Sequence, residues 1–503
     1  MLAGMSIPKV GDVFALPLRA GGFGACQVIA DHGDTIELMG FAPIFDAAPT
    51  LAQVLASPPL ELTHHFHKGG IERTRITKAP MPSTHLALGN APPVYTPEQP
   101  GNSYSGLEYL GLQIALQARW DALPAEIVTA FRAVQGSTQT RRIHFGGSDV
   151  DVRESVTELS IQLSADAADW VKPALRSTQA DVDWRALDAL PALTKLELHG
   201  WSDALPAYLR SRPLIRTLRL YDDGVTELDL SASHLSDVFL STPKLAQVTL
   251  ANGTEQLQCN SCAPQSVRFP APAPPLRLTY YSTKHVIQKL PQGLSELSTL
   301  RIVRTPGFEP AALGGCEVRA LELNEVSKVP RFEELLDAKL SALTLTDCFD
   351  FEVSKAAARK PPAELRLSFH GIRKSVATIL KRAWKGHPHL EIRGIKGDAW
   401  LEANIDNPFR NWIDTERKKG EAACKAYAAA LRKITKLKAP KQAELKAILK
   451  GFVAAINRLD KKYGIDTLER EHTLDGFCLL LDKAGAAKHR ETWLQSFDQW
   501  RDF

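Results

Sequence analysis

Residues 193–198 read LTKLEL, with apolar side chains at the first, fourth and sixth places. The same spacing returns at 215–220 (IRTLRL), 235–240 (LSDVFL), 297–302 (LSTLRI), 318–323 (VRALEL) and 340–345 (LSALTL). Weaker copies stand at 255–259 (EQLQC), 275–278 (PLRL), 363–367 (AELRL) and 389–392 (HLEI). Aligned on the fourth place, the units fall at 196, 218, 238, 257, 276, 300, 321, 343, 365 and 390, nine intervals averaging about 21.6 residues. Alternate residues of an extended chain share a face. Each unit therefore predicts a short strand that turns its fourth and sixth side chains inward and stacks them on the next unit, while a return segment closes the coil. VTELDL (225–230) and LAQVTL (245–250) fall halfway between units, so the shortest coils return through extended chain. VTELSI (156–161) is either a first coil or its cap.

Over residues 150 to 400 this pattern resembles the leucine-rich repeat family, whose period is about 20–29 residues. The resemblance implies a solenoid with one open strand face. The sequence departs from the family at its Asn/Cys place, five residues beyond the fourth. Trp201, Asp223, Pro243, Cys262, Tyr281, Thr305, Val326, Cys348, His370 and Ile395 stand there. Only the two cysteines fit, so no regular asparagine ladder is expected.

Upstream, GDVFALPL, FGACQVIAD and DTIELMGF are short apolar stretches separated by RAGG and HGD turn signals, which predict an antiparallel meander. Phe14, Leu16 and Leu18 alternate with Val13 and Ala15, so one sheet face is expected to be buried and the other wet. TLAQVLASP predicts a short helix, IERTRITK a further strand, and a Pro-rich stretch then runs to about residue 101. Residues 107–135 carry helical periodicity interrupted at Pro124, which suits the first turn of a second helix. The opening GDVFALPLRAGGFGACQVI resembles the start of the immunity protein 26 family of bacterial polymorphic-toxin systems, over about the first 90 residues. The resemblance implies protection of a toxin-producing cell by binding the toxin rather than by catalysis, and it transfers no contact residue.

Downstream, the chain from Asn404 leaves the repeat pattern. Asp414 or Thr415 is expected to cap an Ala-rich helix running toward Leu437, and Pro440 to begin the next. In that second helix Leu445, Ile448, Leu449, Phe452, Val453, Ile456 and Leu459 form one apolar stripe. Two more helices, near 466–485 and 488–501, complete a small bundle. Residues 410–462 carry 15 basic and 5 acidic side chains, and 463–503 carry 5 and 8. The lysines at 433, 436, 438, 441, 446 and 450 lack interleaved aromatic residues, so a solvated face is expected rather than a phosphate-binding one.

The fold class read from these pieces is α+β. It comprises a small N-terminal antiparallel beta module (1–101), a helical linker or repeat cap (102–150), a leucine-rich repeat array (151–403) and a C-terminal helical domain (404–503). The 503 residues carry 61 Lys and Arg against 57 Asp and Glu, with 44% hydrophobic side chains, an ordinary globular composition. No apolar run nears the ~20 residues that cross a bilayer. Seven scattered cysteines do not make a disulfide framework, and cytoplasmic residence is expected.

No P-loop, GxSxG, HExxH, dinucleotide-binding or kinase motif occurs in the sequence, so no enzyme activity, cofactor or metal is expected. Cys259 and Cys262 form a lone CxxC, short of the four ligands of a structural zinc, and both occupy packing places of their unit. His64, His65 and His67 are expected to be a solvated loop patch. What the register does offer is a surface. Arg219, Tyr221, Phe239, Arg277 and Arg301 flank the inward places on nearby coils, and such residues are enriched where protein partners bind. The expected function is neutralisation of a polymorphic toxin by direct binding, with a toxin domain as partner and no membrane. The alternative is an adaptor for nucleic acid or another anionic partner through the basic C-terminal helices.

Overall fold

The computed structural model describes residues 7–18, 21–78, 81, 85–96, 98–99, 107–163, 174–177, 182–270, 276–437 and 441–503. The chain divides into two compact units, Met1–Leu343 and Thr344–Phe503.

The first unit begins with strands β1 (Asp12–Pro17), β2 (Phe23–Asp31) and β3 (Thr35–Gly40), then helix α1 (Leu51–Leu55), β4 (Arg73–Thr77) and β5 (Leu86–Asn90). The strands pair antiparallel in the order β4-β3-β2-β1-β5, as the meander reading expects. The expected wet face is absent, because β1 to β3 are buried on both sides. Phe14, Leu16, Cys26, Val28 and Leu38 pack under Leu110 and Ile114 of α2 (Leu107–Asp121). Val13, Ala25, Ile29, Met39 and Phe41 pack under Val54 of α1. Each such Leu or Ile contributes about 1.5–3 kcal/mol before chain entropy is counted. The helix approaches so closely that a Cβ at Gly24 would lie 2.7 Å from Ile114 Cδ1. Pro124 is the N-cap of α3 (Ala125–Val134), one step before the first-turn place expected of it.

A hairpin follows, β6 (Thr140–Phe145) and β7 (Ser148–Arg153), whose two-residue turn is Gly146-Gly147 at φ +59° and +81°. Both turn residues need positive φ, which glycine adopts at little cost.

The repeat units then form one strand each, with further short strands between and before them. These are β8 (Glu158–Gln162), β9 (Leu175–Arg176), β10 (Lys195–His199), β11 (Thr217–Tyr221), β12 (Glu227–Asp229), β13 (Asp237–Ser241), β14 (Gln247–Thr249), β15 (Gln256–Asn260), β16 (Ser266–Arg268), β17 (Leu276–Tyr281), β18 (Glu296–Val303) and β19 (Glu317–Asn324). In this unit the parallel order is β9-β8-β10-β11-β13-β15-β17-β18-β19. VTELSI thus supplies a paired strand, with β9 outside it. Strands β12, β14 and β16 make a second parallel sheet, in which Leu228, Val248 and Val267 stand opposite one another. The halfway units do return through extended chain. Other returns are short helices, such as α4 (Leu205–Ser211) and the 3-10 turns Trp184–Ala189 and Pro310–Leu313.

The pairing also corrects the sequence register at two units. Leu257 stands opposite Leu278 and Cys259 opposite Tyr280, so the fourth place of that unit is 278, not 276. Leu367 stands opposite Leu390, which moves 365 to 367. The truncated copies PLRL and AELRL offered two apolar residues for a pattern that needs three, and the slip by two kept the parity of every side chain. The inward rows are then Leu196, Leu218, Val238, Leu257, Leu278, Leu300, Leu321 and Leu198, Leu220, Leu240, Cys259, Tyr280, Ile302, Leu323, all buried.

β20 (Ala342–Thr346) lies where the chain passes from the first unit to the second. The second unit continues with α5 (Ser354–Ala357), β21 (Arg366–His370), α6 (Lys374–Ala383), β22 (Leu390–Arg393) and α7 (Asp398–Asn404), then the 3-10 turn Arg410–Asp414. Helices α8 (Arg417–Lys436), α9 (Gln442–Tyr463), α10 (Thr467–Lys483) and α11 (Arg490–Trp500) follow. The cap of α8 is Glu416, whose carboxylate accepts from the Lys418 amide, rather than Asp414 or Thr415. Asp414 has another task, because its carboxylate lies 3.1 Å from the buried Lys396 ammonium. Pro440 lies outside the described residues. The α9 stripe packs as expected, with Leu445, Leu449, Phe452, Val453 and Ile456 buried among Phe409, Tyr427, Phe477 and Phe497. A second buried ion pair, Lys419 to Glu469 at 2.5 Å, ties α8 to α10.

Candidate functional site

The side chains between the two inward rows face the other side of the sheet. Strand pairing aligns Glu197, Arg219, Phe239, Gln258, Thr279, Arg301 and Glu322, one from each consecutive strand from β10 to β19 of the main sheet. At ~4.8 Å per strand, Arg219 and Arg301 stand about 19 Å apart. Arg301 falls in the row of Arg219 and Phe239, and Tyr221 lies two residues along β11. Arg277 does not join them. It pairs with Gln256 and Thr299, one row toward the strand starts, and Thr279 occupies the place expected for it. The corrected register of β17 is the cause.

The charged members of the row are already paired. The Arg219 guanidinium lies 3.1 Å from Glu158 and 3.7 Å from Glu197, and it covers the Phe239 ring at 5.5 Å. Arg301 lies 3.5 Å from Glu322. These groups are partly exposed, so each pair is worth little stability. Their effect is to hold long side chains in fixed places. His199 is buried against Tyr221, the two rings stacked at 4.7 Å with 5° between planes, while Glu197 bonds its Nε2 at 3.2 Å.

Between these charged ends lies an uncharged strip. Phe239 and Gln258 occupy its middle, with Ser241, Asn260 and Tyr281 alongside toward the strand ends. The Asn260 amide donates to Ser241 Oγ at 3.2 Å, and Gln258 donates to Asn260 Oδ1 at 2.8 Å. The Arg304 guanidinium donates to the Tyr281 hydroxyl at 3.1 Å. An uncharged, partly aromatic centre with charged groups at its edges has the anatomy of a protein-binding patch. Gln258, Asn260 and Tyr281 were legible only once the strands were paired. The letters of Gln258 and Asn260 carry no hot-spot signal, and Tyr281 stood in the sequence only at the Asn/Cys place of its unit.

The remaining sequence candidates resolve as packing. His64 is buried, with Nε2 2.7 Å from Gln113 Oε1 and its ring 4.6 Å from that of His67, so the triplet is not a solvated patch. His65 adopts φ +48°, which lets neighbouring rings meet, and burial holds its imidazole down to about 4. Cys259 and Cys262 are both buried, and the Cys262 thiol donates to the Leu240 carbonyl at 3.4 Å. The hydrogen bond between the two thiols, together with burial, raises Cys259 well above its ordinary value. Among the described residues no cluster of His, Cys, Asp or Glu has the makings of a metal site. Lys433, Lys436, Lys441, Lys446 and Lys450 are exposed on α8 and α9 or at their ends, and Lys438 lies outside the described residues.

Comparison with known proteins adds little. No family model and no curated protein matches the chain. A chain from the crystal structure of the LRIM1/APL1C complex is similar at 14% identity, over 61% of this chain and 81% of its own length, with a TM-score of 0.24. So loose a superposition carries no argument.

Proposed function

We propose that the chain is a non-catalytic protein-binding protein, built as a leucine-rich repeat solenoid between an immunity-like beta module and a helical domain, and that it neutralises a bacterial polymorphic toxin in the cytoplasm by direct binding. The observation that carries the proposal is the strip of the first unit's sheet from Tyr221 to Arg301. Uncharged side chains there lie between charges that are already paired, so a partner docks without stripping water from an isolated ion. Parallel strands with two buried rows and a regular return support the solenoid reading. Arg219, Phe239, Gln258 and Arg301 are not buried, so changing them need not open the core.

Binding of this kind requires no bond to be made or broken. Aromatic rings supply desolvated area and the pinned guanidinium groups supply direction, with Arg219 and Arg301 placed to exchange bonds with partner carboxylates at the rim. On this reading the beta module contributes a second contact or carries the array. Sequencing the neighbourhood of the gene, followed by co-expression of the chain with a polymorphic-toxin domain found there and scored as colony survival, tests the proposal; a neighbourhood without a toxin gene counts against it. Survival that depends on the chain supports it, and death in the presence of folded chain contradicts it.

Among the described residues no helix is long and apolar enough to cross a membrane. The adaptor alternative rests on the exposed lysines of α8 and α9, of which Lys462 stands 5.0 Å over the Tyr463 ring, and on no further observation.

A further inference from the structure

Within the first unit, α2, the start of α3 and the segments before β11 and β13 enclose a half-open cavity of about 450 Å³. That size falls in the range of small-molecule sites. Its walls divide by chemistry. Leu116, Trp120, Leu123, Pro124, Pro213 and Leu214 supply an apolar surface. Arg119, Arg210, Arg216, His65 and His234 supply the polar groups, and no carboxylate lines it.

The three guanidinium groups are not equally committed. Arg119 lies 2.6 Å from Glu255, an ion pair that satisfies it from outside the lining. Arg210 is exposed on α4 at the cavity. Arg216 is the unusual one. Its Nε is buried with no hydrogen-bond partner, and burial followed by the repulsion of Arg119 pushes its pKa down to about 10 against the attraction of Glu255 and Asp237, so it stays charged at neutral pH. Arg216 as a whole is half-buried, and a buried donor with an unmade bond is costly to a fold that gains nothing from it.

We infer that this cavity binds a small organic anion, a carboxylate or phosphate ester with an apolar or aromatic body, whose charged end meets Arg216 and Arg210 and whose body packs on Trp120, Leu116 and Leu214. The apolar walls exclude a bare inorganic anion as the preferred occupant, because it would leave them wet. The cationic groups in turn disfavour a neutral hydrocarbon, which would leave Arg216 without an acceptor in a drier site. At neutral pH His65 is uncharged and serves as a packing face, its ring 5.2 Å from that of Trp120.

Isothermal titration of the full chain with 4-phenylbutyrate, 4-phenylbutanol and inorganic phosphate tests the assignment. The carboxylate should bind saturably, and the alcohol and the bare phosphate about tenfold more weakly or worse. Arg216→Met, which keeps the stem and removes the charge, should weaken 4-phenylbutyrate by about tenfold or more, while Arg216→Lys retains part of the affinity. Should Arg216→Met fail to fold, Arg210→Met changes an exposed residue and should still cost several-fold. The assignment is overturned if the alcohol binds as well as the acid, if phosphate alone binds as well, if the folded charge-removing variant binds like the parent, or if 4-phenylbutyrate gives no saturable heat.

Discussion

The Lys396 ammonium stands 2.5 Å from Asp347 Oδ1, with both side chains buried. Asn411 accepts from the same ammonium at 2.9 Å and Asp414 lies at 3.1 Å, so one lysine joins the end of β20 to the turn before α8. Gly371 completes the enclosure at φ +69°, where a Cβ would fall 2.1 Å from Asp347 Oδ1. Breaking a buried pair from one side leaves the other charge uncompensated, a larger loss than the pair's own net worth.

Lys396→Met is therefore expected to destabilise the second unit by about 3–5 kcal/mol. At roughly 2–4 °C per kcal/mol, its melting transition should fall by about 6–20 °C. Adding Asp347→Asn should recover part of the loss. Calorimetry on the full chain checks this, and an unchanged melt for Lys396→Met would show that the network is not structural.

Glu72 gives a pH prediction. Burial raises its carboxyl to about 7, with Arg73 opposing, and its Oε1 is buried with no hydrogen-bond partner. The folded state therefore holds this proton more tightly than the unfolded chain, so the stability it confers is full below about pH 4.5 and is lost as pH rises toward 7. Glu72→Gln should raise the melting temperature at pH 8 and leave it nearly unchanged at pH 4.5. Equal shifts at both pH values would contradict the assignment.

Much of this architecture is written in the chain, and the parts that are not have physical reasons. The unit LTKLEL specifies a strand because its two inward leucines have nowhere else to go, and the regular return of that unit specifies stacking. PLRL does not fix its own register, since either of two leucines can fill the fourth place until Leu257 selects Leu278. The two-sided burial of β1 to β3 was illegible because α2, which covers one face, begins 67 residues after Gly40. The hairpin of β6 and β7 was legible, as Gly-Gly between alternating residues is a turn signal, but it fell inside a segment read as linker. Of the expected site, Arg219, Tyr221, Phe239 and Arg301 come together and Arg277 does not. The cavity around Arg216 had no sequence signal, because its lining comes from four separate segments.

Thiol reactivity should follow burial. Cys26 and Cys424 are pushed up to about 12, and Cys316, less buried, to about 11. Native alkylation with iodoacetamide at pH 8 should label Cys316 and Cys478 first, slowly, with the five buried thiols reacting only after denaturation. Rapid labelling of Cys259 or Cys262 in the native chain would show that the pair is exposed and reactive rather than packed.

The central claim is that the strip on the first unit's sheet is the partner-binding surface. The most direct test is growth protection against a co-expressed polymorphic-toxin domain that the parent chain neutralises, comparing the parent with Phe239→Glu/Arg301→Glu. Both side chains face outward, so the variant should melt within a few degrees of the parent. The account predicts that it loses protection, while Arg277→Glu, one row away, loses less. Full protection by the double variant, together with loss of protection on altering the first 90 residues, would contradict the account and make the beta module the inhibitor.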